Sequence, residues 1–277
     1  MAMMERLELN AVNDVCDRSS VRLVESPVFV ISTVRSGSTL LRCVLNAHSE
    51  LHAGHELHLG DLQVRLDTDP AVTAMSALGI SSAELEYLLW DRLLDRQLKN
   101  SGKNVLVEKT PGNAYIWKRI AECWPQARYI FLLRHPLHVL ESLVEVIREG
   151  ATEEQLAVGD ADEVAARLKR AALRMLVPMI EAVIEARDNL PGITVRYEDL
   201  TAHPRIVTQR ICEFLDVPWE AGMLDYGSRE QGPYQMFLGD WHEKILSGVI
   251  QPHRELPSAD DVPEELLAYC KAFAYLP

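Results

Sequence analysis

The sequence predicts an α/β fold in which a central parallel sheet is covered on both faces by helices. Short apolar runs rich in β-branched residues alternate with longer helical patterns along the whole chain. Each run ends in a short polar loop, as the strands of a parallel sheet do before crossing back through a helix. With 277 residues and 48% hydrophobic content, the chain has enough apolar material for one large domain.

Taken in order, Val28-Phe29-Val30-Ile31 is the first strand. A small-residue loop centred on Gly37 follows, and a helix with Leu40, Leu41, Val44 and Leu45 on its apolar face runs from about Thr39 to Ala47. Residues 50–58 form a short strand or loop crowded with titratable groups: Glu50, His52, His55, Glu56 and His58. From Gly60 to about Asn100 the spacing of Leu85, Leu88, Leu89, Leu93 and Leu94 predicts mostly helix, closed by the turn Ser101-Gly102-Lys103-Asn104.

Val105 to Thr110 reads as a second strand and its polar loop, with a helix from about Ala114 to Cys123. Arg128–Leu133 is a third strand, and Pro136 suits the first position of the helix carrying Val139, Leu140 and Leu143. Residues 152–189 form one or two helices, stopped by Leu190-Pro191-Gly192. Ile193 to Leu200 is a fourth strand and its loop, with a helix from about Pro204 to Leu215. Beyond Pro218 the chain is irregular, with Trp219, Tyr226, Tyr234, Phe237 and Trp241 among Gly and Pro, before a last helix from about Glu264 to Ala274.

Composition narrows the function. A formal net charge of −13 argues against nucleic acid or a polyanionic polysaccharide as partner, because the long-range field repels both. The five cysteines are scattered with no C-x-x-C pair, so neither a disulfide framework nor a zinc site is expected. No apolar run reaches the length of about 18 residues that a membrane helix needs, and residues 1–22 lack a signal pattern. A cytoplasmic protein without a membrane partner is the expectation; the oligomeric state is not legible.

An anionic ligand can still bind where basic groups and helix N-termini converge. The strand, loop and helix of residues 28–45 aim backbone N–H groups and a helix dipole at one spot, suited to phosphate or sulfate. Arg35 adds a charge there, and Ser36, Ser38 and Thr39 add hydroxyls. The nucleotide-triphosphate pattern G-x-x-x-x-G-K-[ST] fails twice: no Gly stands five positions before Gly37, and Ser38 replaces the lysine. At the same sheet edge the next strands deliver Glu108 and Lys109, then Arg134 with Ser142 two turns into its helix, implying a second anion site.

These residues resemble the sulfotransferases that use 3′-phosphoadenosine-5′-phosphosulfate (PAPS). Val34-Arg35-Ser36-Gly37-Ser38-Thr39-Leu40-Leu41 is similar to their 5′-phosphosulfate loop, in its Arg-containing form. Phe131–Pro136 continuing to Ser142 resembles their 3′-phosphate motif, and Val195–Leu200, with Tyr197, their strand-and-turn segment. The resemblance covers about residues 27–255 and implies a P-loop-like three-layer fold in a single domain, 1–277, with residues 60–104, 152–189 and 219–255 as acceptor-side or lid segments.

The branch that includes tyrosylprotein enzymes is the most similar. It implies an acidic base about twenty residues after Arg35, which falls on Glu56, and a leaving-group contact from Lys109. It also implies a late cofactor-closing loop, matched by Leu246–Pro252 with Ser247; Gln251 stands where a basic residue is common, so His253 or Arg254 would substitute. His55, His52 and His58 lie within four residues of Glu56 as rival bases; His55, adjacent in an extended segment and so facing the opposite way, ranks second to Glu56.

The implied reaction moves the sulfuryl group of PAPS to a hydroxyl of a small or carrier-bound acceptor, leaving adenosine 3′,5′-bisphosphate and requiring no metal. Leu238-Gly239-Asp240 with Glu243-Lys244 is similar to bacterial members acting on metabolites or natural-product intermediates. A P-loop-type small-molecule kinase is the alternative, weakened by the missing Gly-Lys pair. A non-catalytic anion-binding module is a third.

Overall fold

The computed structural model describes residues 22–229, 231 and 243–277. The strands and helices run β1 (Val28–Ser32), α1 (Ser38–Asn46), β2 (Leu51–Ala53), α2 (Asp69–Ala77), α3 (Ser82–Ser101), β3 (Val105–Glu108), α4 (Trp117–Cys123) and β4 (Arg128–Leu133). They continue with α5 (Pro136–Glu149), α6 (Glu153–Leu156), α7 (Ala161–Asn189), β5 (Gly192–Arg196), α8 (Tyr197–Ala202), α9 (Pro204–Leu215), α10 (Glu243–Leu246) and α11 (Glu264–Ala272). The strands form one parallel sheet in the order β2-β3-β1-β4-β5.

The sheet has two apolar faces because alternate residues of a strand point to opposite sides. From β1, Phe29 and Ile31 enter a core with Trp90 of α3, Trp124, Leu140 of α5 and Ile180 of α7. Val28 and Val30 face the other way, into a core with Leu41 and Leu45 of α1 and Ile211 and Leu215 of α9. Every residue of β1 is buried on both sides, which is why it reads as an unbroken apolar run.

Parallel pairing places the strand ends at one edge. Ser32 lies beside Leu132, Phe29 beside Glu108, and Leu133 beside Arg196. The residues that follow β1, β3, β4 and β5 therefore emerge together.

Several expectations are adjusted. Residues 50–58 contribute a true edge strand, β2, paired to β3. Within 60–100 only α2 and α3 are α-helical; residues 59–61 form a 3-10 turn and 62–68 are extended or irregular. The helix after β3 starts as a 3-10 turn, Pro111–Tyr115, because Pro111 fixes the backbone directly after the strand. The fourth strand stops at Arg196, where β4 ends and offers no further ladder partner, and Tyr197 opens α8 directly. α7 runs through Pro178 as one helix, its buried positions Leu168, Ala172, Leu176, Met179, Val183 and Ala186 recurring every three or four residues. Tyr234, Phe237, Trp241 and the segment Leu238-Gly239-Asp240 lie outside the described residues, as do the side chains of Glu243 and Lys244.

Candidate active site

The loop from β1 to α1 is bent by two residues with left-handed backbone, Arg35 (φ 58°) and Gly37 (φ 87°). Gly37 stands at the N-cap of α1 and has no side chain of its own to cap it, and the positive end of the helix opens on a cleft. Glycine is required there twice over. Its φ is positive, and an added Cβ would fall inside the ring of Tyr197. The Ser36 hydroxyl, fully buried, donates to the Thr33 carbonyl and braces the loop from within (2.8 Å).

Gly37, Ser38, Thr39 and Leu40 line a cleft of about 850 Å³ together with Arg35, Arg134, Ser142, Tyr197, Gln251 and Arg254. The two anion positions expected from sequence therefore lie in one cleft. Arg134 Nη1 donates to the Arg35 carbonyl at 2.8 Å, and Arg35 Nε donates to Ser142 Oγ at 3.0 Å. The Arg134 guanidinium lies 4.6 Å from the centre of the Tyr197 ring, and its buried Nε has no hydrogen-bond partner among the described residues. Burial depresses the Arg134 pKa, partly offset by Tyr197 and Glu198. A half-buried guanidinium beside a helix N-terminus that opens on the cleft fits a phosphate.

Behind it, Glu198 accepts from the His135 amide at 3.1 Å and from the Tyr275 hydroxyl, tying the start of α5 to α8 and to the C-terminal segment. On the open side, Tyr226 Oη donates to the carbonyls of Ile245 and Val249, both at 3.3 Å, and Gly227 packs directly on Gly248. This clamp holds the 245–251 loop over the cleft. Gln251 bonds Ser247 at 3.5 Å, while Ser247 itself does not line the cleft. Of the two substitutes for a basic residue at 251, Arg254 reaches the cleft, held by Glu141 at 2.8 Å. His253 turns away to Thr201 (3.0 Å).

Glu56 and Lys109 form an ion pair with each other, at the end of β3 rather than on the cleft wall. Lys109 is fully buried and Glu56 is 11% exposed at its side chain, with His58 Nε2 3.5 Å from its second oxygen. Burial lowers the Lys109 pKa and Glu56 opposes the shift. His55, next to Glu56 in the chain, lines a different cavity along β2.

Residues 27–221 match the model of the Sulfotransferase family. The chain belongs to the sulfotransferase family. Among relatives, protein-tyrosine sulfotransferase A of Caenorhabditis elegans is 23% identical over 205 residues, covering 72% of this chain and 52% of the relative. Protein-tyrosine sulfotransferase 1 of Danio rerio is 22% identical over 205 residues, covering 72% and 55%. The chain spans about half the length of these curated relatives. The sulfotransferase domain from the curacin biosynthetic pathway superposes with a TM-score of 0.63 at 24% identity, covering 93% of this chain and 100% of that one. That of the Synechococcus PCC 7002 olefin synthase gives 0.65 at 22%, covering 93% and 98%. These structures share the fold.

Glu108, expected at the sheet edge beside Lys109, turns inward in this sulfotransferase-family chain. Glu108 is buried, and burial raises its pKa against the hydrogen bonds it accepts. Its oxygens take N–H and O–H bonds from the Leu57 amide (3.3 Å), Thr110 (2.6 Å) and Asn113. Thr110 Oγ1 also accepts from the amides of Leu57 (3.1 Å) and His58 (3.3 Å). The loop carrying Glu56 is thus pinned by its own backbone to the end of β3. Glu108-Lys109-Thr110 is visible in the sequence, but nothing there says that the carboxylate turns inward. Among the described residues no group of three or more His, Cys, Asp or Glu could hold a metal, and no helix is long and apolar enough to cross a membrane.

Proposed function

We propose that the chain uses PAPS as donor and transfers its sulfuryl group to a hydroxyl of a small or carrier-bound acceptor. The observation that carries this reading is the single cleft in which Arg35, Arg134, Ser142 and the open N-terminus of α1 meet. One cleft of that volume, with cations along it, suits a nucleotide phosphorylated at two positions. When bound, the donor supplies a sulfuryl group on a phosphate leaving group.

The chain's own residues divide the remaining work. Arg134 and Ser142, with Tyr197 stacked on the guanidinium, hold the 3′-phosphate. The amides of Gly37 to Thr39 and the Arg35 charge balance the 5′ end, for which Arg35 must first release Ser142. Glu56 takes the acceptor proton. Lys109, sharing a salt bridge with it, orients that carboxylate and adds positive charge at the end of β3. Positioning and charge stabilisation carry such a transfer, as in phosphoryl transfer. The net charge of −13 favours a small or carrier-bound hydroxyl compound over a sulfated polysaccharide.

Calorimetric titration with adenosine 3′,5′-bisphosphate tests the donor half without needing the acceptor. One binding site that is lost in both Arg35→Ala and Arg134→Ala is expected. No binding, or binding indifferent to both substitutions, overturns the reading.

A further inference from the structure

Arg42 lies one helical turn beyond the donor loop, on the far half of α1, and the proposed reaction does not use it. Its side chain is 1% exposed. Nη1 reaches the carbonyls of Ala53 (3.3 Å) and Gln231 (3.4 Å), and Nη2 the Cys43 sulfur (3.1 Å). Nε is buried with no hydrogen-bond partner, and no carboxylate pairs with the guanidinium among the described residues. A buried charge without a counterion is costly, so such a group calls for an anion.

The space beside it supplies room for one. Arg42 lines a cavity of about 480 Å³ that runs along the edge strand β2, separate from the donor cleft. Lys103 and Arg229 line it too, as do His48, His52 and His55. Lys103 Nζ spends its hydrogens on the carbonyls of Asn46 (2.7 Å), His48 (3.0 Å) and Leu51 (2.9 Å), so it contributes charge rather than a donor. Arg229 is exposed at the rim. The cations sense one another: Arg229 depresses Lys103 and both Lys103 and Arg42 depress His52, in each case after burial as the larger cause. No acid lines the cavity among the described residues; Glu220, nearby, accepts from Ser49 and lies 3.8 Å from His48.

We propose that this cavity is an oxyanion site, in which a phosphate or carboxylate group is held by Arg42 at its base and Arg229 at its rim. Two sources share that chemistry: a free inorganic anion, or an anionic group carried by the acceptor, since the cavity reaches Gly54 and His55 immediately before Glu56.

Inorganic phosphate is the probe, titrated by 31P NMR and by thermal unfolding in a low-salt amine buffer. The background is the full chain with Arg35→Ala and Arg134→Ala, which silences the donor cleft. Saturable binding with a rise in Tm is expected. Adding Arg42→Gln should weaken it more than about tenfold. Because Arg42→Gln can disturb folding, Arg229→Ala at the exposed rim is the second variant, expected to weaken phosphate about threefold to fivefold. Displacement of phosphate by 4-hydroxyphenylacetate but not by its methyl ester supports an acceptor-borne group, and displacement by neither supports a free anion. No saturable phosphate binding in the silenced background, or binding unchanged by Arg229→Ala, overturns the proposal. Both results are independent of whether adenosine 3′,5′-bisphosphate binds the intact chain.

Discussion

Arg134 donates a 2.8 Å hydrogen bond to the backbone carbonyl of Arg35, although 99 positions separate them in the chain. The bond joins the loop after β1 to the loop after β4, two neighbouring strands in register from Val28–Arg128 to Ser32–Leu132. Each guanidinium is thereby placed on one wall of the same cleft.

Arg134→Ala removes the Nη1 bond, the cation over Tyr197 and the proposed 3′-phosphate contact. Affinity for adenosine 3′,5′-bisphosphate should fall about tenfold to hundredfold, as for the loss of a hydrogen bond to a charged group. Affinity for adenosine 5′-phosphate should change far less. Parallel calorimetric titrations of the two nucleotides check the difference, and equal losses would remove Arg134 from the 3′ role.

Gly37→Ala places a methyl group where the Tyr197 ring lies and forces an L-residue to φ 87°. The ring must move, and with it the surface on which Arg134 rests. We expect a loss of about 1–3 kcal/mol in stability, read from urea unfolding, together with weakened nucleotide binding. Normal stability and normal affinity together would contradict the packing described.

Glu56→Gln keeps the shape of the side chain and removes its charge. With an acceptor in hand, kcat should drop about 10²–10⁴-fold while adenosine 3′,5′-bisphosphate binds as before, because Glu56 does not line the donor cleft. Retained turnover would shift the base to one of the neighbouring histidines.

His138 on α5 is 5% exposed, and its pKa is lowered from 6.5 to about 4 by burial first, then by Arg254, Arg134 and His135. A histidine depressed in the folded state binds fewer protons there than in the unfolded chain. Its contribution is therefore intact above pH 6.5 and is lost as pH falls toward 4. Between pH 7 and pH 4.5 the wild type should lose about 2 kcal/mol more stability than His138→Gln, by urea unfolding at both values. Parallel pH profiles for the two proteins would show that His138 does not remain neutral.

Much of the architecture was legible because it rests on local chemistry. Val28–Ile31 is apolar and rich in β-branched residues, which favours a buried strand, and Pro136 marked its helix start to the residue. The turn at Gly37 was visible because few residues tolerate that backbone. Where Tyr197 opens α8, by contrast, depended on where β4 stopped offering partners, which no local pattern records.

The candidate site divides along the same line. By itself the sequence determined which groups could meet: an anion-binding loop with Arg35, a strand end with Arg134, an acid at Glu56 and a lysine at Lys109. Their residue types and spacing carry that information, because charge and backbone tolerance are properties of single positions. Only the tertiary structure decided their grouping. It set Arg35 against Ser142, turned Ser36 into a brace, sent His253 to Thr201 and Arg254 to the cleft, and bound Glu56 to Lys109. It also left Arg42 buried with no carboxylate partner among the described residues. Side-chain partners are chosen among groups brought close by strand register and burial, and those are global outcomes of packing, invisible in any single stretch of the chain.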